Sequence, residues 1–177
     1  LGTHARLKDR FNTDHSGIDG TTFMEHATHF EKSEPIQLKY DLDAIRWLQE
    51  NITGSPTIVE GLTDQYHWGN RVSIYTGLPT IVGWDWHQRQ QRVEYAWAVT
   101  KRRHDVDRIY KTPDADVAIA IMREYGASYL FIGELERLYY PETGISKFEK
   151  IQDQRLIPVY SNDQVIIYEL TSPRDSS

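Results

Sequence analysis

Apolar residues along this chain fall into two alternating patterns, a helical spacing and short continuous runs. Ala44, Ile45, Trp47, Leu48 and Ile52 share one face of a helix that the spacing predicts from about Asp41 to Asn51. Asp41 or Asp43 would cap it and Gly54-Ser55-Pro56 would stop it. Thr57-Ile58-Val59 then reads as a short buried strand ending at Glu60-Gly61. The pattern partly recurs, with a short helix over Asn70–Thr76, a turn at Gly77-Leu78-Pro79 and a second strand Thr80-Ile81-Val82 ending at Gly83. Residues 87 to about 99 read as a helix, with Lys101-Arg102-Arg103-His104 as its solvated, dipole-favoured end. From Asp114 to Tyr125 the signal is strongest: an Asp cap, Val117, Ile121 and Met122 on one face, and Gly126 as the stop. Ser128 to Ile132 gives a third strand, ending at Gly133-Glu134. Leu156–Tyr160 and Gln164–Leu170 flank the polar turn Ser161-Asn162-Asp163 and predict a hairpin.

Helices alternating with short apolar strands predict an α/β fold of three layers, with a mixed, mainly parallel sheet and a C-terminal antiparallel hairpin. The division expected is an N-terminal arm over residues 1–36, packed on the body, and a single α/β domain over 37–177. The arm has turns at Thr13–Gly17 and Ile18–Gly20, a short helix over Thr22–Phe30 and a linker at its start. A length of 177 residues, 39% hydrophobic and 26% charged, suits one such core without staples. The absence of cysteine excludes disulfides, Cys-type zinc sites and a thiol nucleophile. A net charge of −6 argues against a nucleic-acid binder. The longest purely apolar run, Val117 to Met122, is far short of the roughly 20 residues that span a bilayer. With Leu1 in first place, the chain reads as a piece of a longer protein.

In an open α/β sheet, ligands sit beyond the carboxyl ends of the strands. Glu60 and Glu134 each follow such an end, beside a glycine. Each reads either as a solvated loop carboxylate or as a ligand anchor, and as a pair they would suit glycoside hydrolysis. The segment from Thr63 to Arg92 is the most unusual. It holds three of the five tryptophans, with four Gln, two His and three Arg. Tryptophans in polar, Gly-rich sequence call for a partner surface, and flat rings beside amides, acids and guanidinia suit a polyhydroxylated ligand. Arg71 and Arg92 are candidates for gripping phosphate or carboxylate. The alternative is that the rings fill the core and the arginines pair with local acids.

Fainter signals accompany these. His26 and His29 with Glu25, and Asp85 with His87, have metal-ligand spacing but no third ligand. The basic run at Lys101 admits a phosphate or lipid-headgroup contact. Asn51-Ile52-Thr53 matches the glycosylation sequon. Dinucleotide, Walker and nucleophile-elbow motifs are missing, so the sequence calls for no cofactor and shows no nucleophile.

Asp41 to Asn51, Arg71-Val72-Ser73-Ile74-Tyr75-Thr76-Gly77-Leu78-Pro79, Gly83-Trp84 with His87 and Gln90-Gln91-Arg92, and Gly133-Glu134-Leu135-Glu136-Arg137 with Tyr140, Gly144 and Lys147-Phe148 together resemble the YYY-type family of polytopic membrane proteins of bacteria and archaea. Ile18-Asp19-Gly20 and Phe23-Met24 also fit, so the resemblance covers residues 10–170. It implies a soluble C-terminal domain on the extracytoplasmic side, attached to membrane helices absent from this chain. That plan is similar to GT-C membrane glycosyltransferases that use polyprenyl-phosphate sugars, whose catalytic acids usually lie in the membrane part. Tyr66-His67-Trp68-Gly69 is loosely similar, in a different order, to the Trp/Tyr/Gly acceptor-binding motif of oligosaccharyltransferases.

The leading expectation is therefore an accessory domain that binds a glycan acceptor or a lipid-linked sugar. Glu60, Tyr66, Trp68, Arg71, Trp84, His87, Gln91 and Arg92 would line the site, with Glu134 at its edge, and no catalytic residue or metal is expected. The isolated chain would have no transferase turnover. The alternative expectation is a structural domain that docks on its own membrane half or on a partner protein. A third is a hydrolase built on Glu60 and Glu134.

Overall fold

A computed structural model describes residues 19–171. The turn expected at Thr13–Gly17 and the linker before it lie outside the described residues. A 3-10 turn, Thr22–Glu25, leads into β1 (Thr28–Glu31) and β2 (Glu34–Gln37), a two-stranded antiparallel hairpin. Then come α1 (Leu38–Asn51), β3 (Thr57–Val59), α2 (Arg71–Thr76), α3 (Asp85–Gln91), a 3-10 turn at Val93–Tyr95 and α4 (Ala96–Lys111). The chain continues through α5 (Ala115–Glu124), β4 (Ala127–Ile132), α6 (Glu134–Tyr139), α7 (Glu142–Lys150), β5 (Leu156–Ser161) and β6 (Ile166–Leu170).

The central sheet has the order β3-β4-β6-β5. β3 and β4 run parallel, β6 is antiparallel to both of its neighbours, and the predicted C-terminal hairpin is β5–β6. Thr80 adds one parallel bridge to Ile58, which is all that forms of the strand expected at Thr80–Val82. Ile81 and Val82 turn into the core instead of extending a ladder.

Strand alternation divides the core into two faces. Val59, Leu130, Ile132 and Tyr168 point to one side, where α4, α5 and α7 supply Val106, Ile109, Ile119, Met122 and Phe148. Ile58, Phe131 and Ile167 point to the other, against Ala44 and Leu48 of α1 and Val72 of α2. The sheet is thus covered on both faces, the three-layer α/β arrangement that the pattern predicts. The outer side of α1 buries Leu38, Leu42 and Ile45 against Met24, Ile36 and Leu135.

Several local expectations give way. α1 begins at Leu38, not at an Asp cap; Asp41 lies inside it and is buried. The helix expected from residue 87 divides into α3 and α4, so Lys101–His104 lies mid-helix, not at a helix end. Thr22–Phe30 forms a turn and a strand instead of one helix. α5 matches closely, with the Asp114 carboxylate accepting the N–H groups of Asp116 (2.9 Å) and Val117 (3.3 Å).

Candidate functional site

The crevice beyond the carboxyl ends of β3 and β4 is filled by the protein itself. Arg71, the first residue of α2, is 1% exposed. Its Nε and Nη2 donate to Asp41 of α1 (2.5 and 3.3 Å), while Nη1 and Nη2 donate to Glu136 of α6 (3.1 and 2.9 Å). Glu136 also accepts the backbone N–H groups of Gly61 (2.9 Å) and Gly133 (2.8 Å), the residues that follow the two parallel strands. A Cβ at Gly61 would lie 2.8 Å from Glu136 Oε1, so the glycine is required by this close approach. Nearby, the Tyr140 hydroxyl accepts from Leu62 N–H (2.9 Å) and donates to Asp107 (3.2 Å). Burial alone would push Glu136 up, but the Arg71 guanidinium and the N–H donors hold its carboxyl below the ordinary value.

Glu60 belongs to the same knot. Fully buried, it accepts the N–H groups of Val72 and Ser73, both at 2.9 Å. These are orphan donors of the first turn of α2, so Glu60 caps that helix from a distance in sequence. Burial pushes its carboxyl up, against the opposing pull of Arg71 and these donors. Glu60 and Arg71 are therefore not available to a ligand, and the hydrolase built on Glu60 and Glu134 fails with them. Trp68 is drawn to the edge of the knot, where its indole N–H donates to Asp41 (3.0 Å) and its ring packs on Phe23 and Tyr75.

The structure does bring together Tyr66, Trp84 and His87. Their ring centroids lie 6.4 Å (Tyr66–Trp84), 6.0 Å (Tyr66–His87) and 5.6 Å (Trp84–His87) apart. Tyr66 is 77% exposed and Trp84 43%. Trp84 is pinned by its edge: the Asn70 amide oxygen, oriented to satisfy both groups, accepts its backbone N–H (3.3 Å) and its indole Nε1 (3.0 Å). Because Asn70 directly precedes Arg71, the buried knot fixes the indole from below. The three rings edge a narrow cleft of about 10 Å³, room for about one water, whose walls include Asp64, Gln65, Asn70 and Arg103. It opens beside a broad hollow of about 590 Å³ bounded by Asp64, Gln65, Asp85, Trp86, Arg89 and Arg103. Asp85 holds that wall together through Arg89 (2.8 Å) and Arg103 (2.9 Å). Among the described residues, His87 Nδ1 is buried and finds no hydrogen-bond partner.

The other expected site residues lie apart. Gln91 and Arg92 are exposed at the far end of α3, and Arg92 borders a different hollow with Gln88, Tyr95 and Arg102. Glu134 opens α6, half-buried, and accepts Gln37 N–H (3.1 Å); burial raises its carboxyl. The metal spacings are also spent. His29 turns to Glu31 (3.1 Å), Glu25 pairs with Arg46 (2.9 Å) and Asp85 serves the two arginines. Among the described residues, no group of three or more His, Asp or Glu is placed to hold a metal ion.

Sequence reasoning missed a second polar cluster. Glu31, buried on β1, receives His67 Nδ1 (2.6 Å), Tyr139 Oη (2.7 Å) and His29 Nε2 (3.1 Å). These bonds hold its carboxyl below the ordinary range despite burial. The cluster ties the loop carrying Tyr66 to the β1–β2 hairpin and to α6. Asp41 and Glu136 were also overlooked as site-forming, while Asp85, read with His87 as a metal pair, and Arg103, read within the basic run, instead pair with each other. Glu136 left a trace in the Gly-x-x-Glu spacing, in which the third helical position reaches back to the N-terminus.

No protein-family model matches the sequence, and no curated protein matches it. Among solved structures, the fold is similar to the C-terminal globular domain of an oligosaccharyltransferase from Archaeoglobus fulgidus, with 11% identity and a TM-score of 0.47, covering 73% of this chain and 95% of that one.

Proposed function

We propose that this chain is an extracytoplasmic accessory domain of a GT-C-like membrane glycosyltransferase. In this reading, the Tyr66–Trp84–His87 surface binds part of a glycan acceptor or the sugar of a polyprenyl-phosphate donor. The observation that carries it is the placement of three rings, fixed by the protein beneath, at the rim of a cleft walled by carboxylate, amide and guanidinium groups. Pyranose rings offer C–H faces for stacking and hydroxyls for hydrogen bonds, and both kinds of partner are present within one sugar's reach. Tyr66 and Trp84 would stack, Asp64 and Gln65 would bond hydroxyls, and Arg103, already oriented by Asp85, would meet a phosphate or carboxylate at the hollow's wall.

The role is binding and not turnover. The carboxylates at the strand ends that might have acted as acid and base are either sealed, as Glu60 is, or set apart, as Glu134 is. The isolated chain is expected to transfer no sugar.

The test is an NMR titration of the chain with a panel of oligosaccharides and a short-chain polyprenyl-phosphate sugar. Shifts should concentrate at residues 63–66, 83–87 and 103. Tyr66→Ala and Trp84→Ala should each weaken binding about tenfold or more, and Tyr66→Ala, at a ring 77% exposed, should do so without lowering the melting temperature appreciably. Saturable binding that leaves those resonances unmoved, or that survives Trp84→Ala unchanged, would refute the assignment.

A further inference from the structure

Asn51-Ile52-Thr53, the single Asn-x-Ser/Thr sequon in the chain, has no part in the proposed sugar site. Its residues are placed by the way α1 ends. Asn51 is the last residue of α1, and the Ile52 N–H closes the final turn on the Leu48 carbonyl (3.0 Å). Ile52 then leaves the helix with extended backbone (φ −97°, ψ 126°). Gly54 takes a left-handed conformation (φ 77°), and Ser55 and Pro56 lead into β3. Ile52 is half-buried and packs on the core cluster beneath α1, whereas Asn51, Thr53, Gly54 and Ser55 are exposed. The anchored middle residue thus leaves in solvent the two that define an acceptor, an amide and a hydroxyl two positions on. Helix ends fray at little cost, so this segment can be drawn out as an extended acceptor.

The amide itself suits substitution. Asn51 Nδ2 donates one hydrogen to the Trp47 carbonyl (2.9 Å) and carries a second. A glycosylated amide keeps one hydrogen, so the bond to Trp47 can survive the modification. The position also keeps a glycan clear of the cleft. The knot and the ring surface lie beyond the carboxyl ends of β3 and β4, whereas the sequon precedes the amino end of β3. Gln49, two residues before Asn51, donates to the Tyr75 carbonyl (2.8 Å), at the opposite end of α2 from Arg71. We infer that Asn51 is an N-glycosylation acceptor. Its co-substrate is an oligosaccharide on a polyprenyl phosphate or pyrophosphate carrier, transferred by a separate enzyme. Asn51 Nδ2 forms a bond to C1 of the first sugar, and the C1–O bond to the carrier breaks. The amide releases one proton, and the carrier leaves as its phosphate or pyrophosphate. The inference rests on the extracytoplasmic part of the proposed function and not on sugar binding at the cleft.

The experiment is mass spectrometry of the protein purified from the cells that produce it. The tryptic peptide Trp47–Arg71, which holds the sequon, is expected to carry a glycan in most copies. Enzymatic release by an amidase should convert Asn51 to Asp. Asn51→Gln and Thr53→Ala should each remove the added mass, and Thr53→Ser should keep it. Both positions are exposed, so these variants should melt near the wild-type temperature. A second measurement reports the compartment: Glu94→Cys, at an exposed position in a chain without cysteine, is labelled in intact cells with a membrane-impermeant maleimide. An unmodified peptide from protein that the maleimide labels overturns the inference and leaves the extracytoplasmic reading standing. An unmodified peptide from protein that it does not label overturns both. Glycan mass that survives Asn51→Gln or Thr53→Ala also overturns the inference.

Discussion

Replacing Arg71 by Met tests the plugged crevice directly. The guanidinium makes four hydrogen bonds to two buried carboxylates and is almost wholly shielded from water. Methionine fills much of the volume, so the loss is chiefly electrostatic. Glu136 would keep the Gly61 and Gly133 N–H groups, whereas Asp41 would keep, among the described side-chain partners, the Trp68 indole N–H alone. Breaking a buried pair by removing one partner costs about 3–5 kcal/mol, a large part of the roughly 5–15 kcal/mol that a domain possesses. With m near 2 kcal/mol per molar, urea midpoints should fall by about 2 M. The sign of the pH effect follows from the same groups. In the wild type, Glu136 is held below its ordinary value, so its contribution is present above the unfolded carboxyl pKa and is lost as pH falls through the lower folded one. Without Arg71, burial pushes the Glu136 carboxyl up, and its destabilisation is relieved as pH falls. The deficit of Arg71→Met should therefore be largest near neutral pH and smaller by about 1–2 kcal/mol near pH 4.5. Adding Asp41→Asn and Glu136→Gln should recover about half of it. Urea unfolding at both pH values is the assay. A deficit under about 1 kcal/mol, or one independent of pH, would show that the knot is held by packing and not by charge.

Three further outcomes follow from local geometry. Gly144 on α7 lies against the Tyr110 and Lys111 carbonyls of α4, with no room for a Cβ, so Gly144→Ala should cost about 1–3 kcal/mol in urea unfolding and separate the two helices. Asp114→Ala removes the α5 cap and should cost about 1 kcal/mol by the same measurement. Lys147 is buried with its Nζ on the carbonyls of Ile109 and Gly144, and burial pushes its ammonium down to about 7. The unfolded chain then holds a proton that the native state has released, so stability should rise with pH from about 7 to 9, at up to about 1.4 kcal/mol per pH unit. Lys147→Met should flatten that slope in pH-dependent melting.

Much of the frame could be read from apolar spacing because its elements bury conventional faces. α5 has an Asp cap and aliphatic residues on one side, and β4 places Leu130 and Ile132 on one face with Phe131 on the other. The β1–β2 hairpin was invisible for the opposite reason. Its inward residue on β1 is Glu31, while Phe30 points outward, so the alternation is inverted. Its turn also uses Lys32 (φ 50°) and Ser33 (φ 70°) where hairpins of this kind favour Asn-Gly. α6 is too short to display a period, and its first turn is shaped by Glu136, whose partners are distant in sequence.

The candidate site shows where sequence loses its hold on function. Trp68 and Trp84 both occur in polar, Gly-rich sequence and are indistinguishable by composition. Their fates differ because Trp68 finds a buried acceptor, Asp41, whereas Trp84 finds Asn70 at the rim, which binds the indole edge and leaves a face in solvent. Arg71 and Arg103 divide in the same way. Two buried carboxylates fully consume the first, while one carboxylate shared with Arg89 orients the second at the wall of an open hollow. Filling the strand-end crevice makes it a packed floor and anchors Asn70 at the start of α2. In the proposed reading, recognition then falls to the rings that Asn70 and the Glu31–His67 tie hold above it.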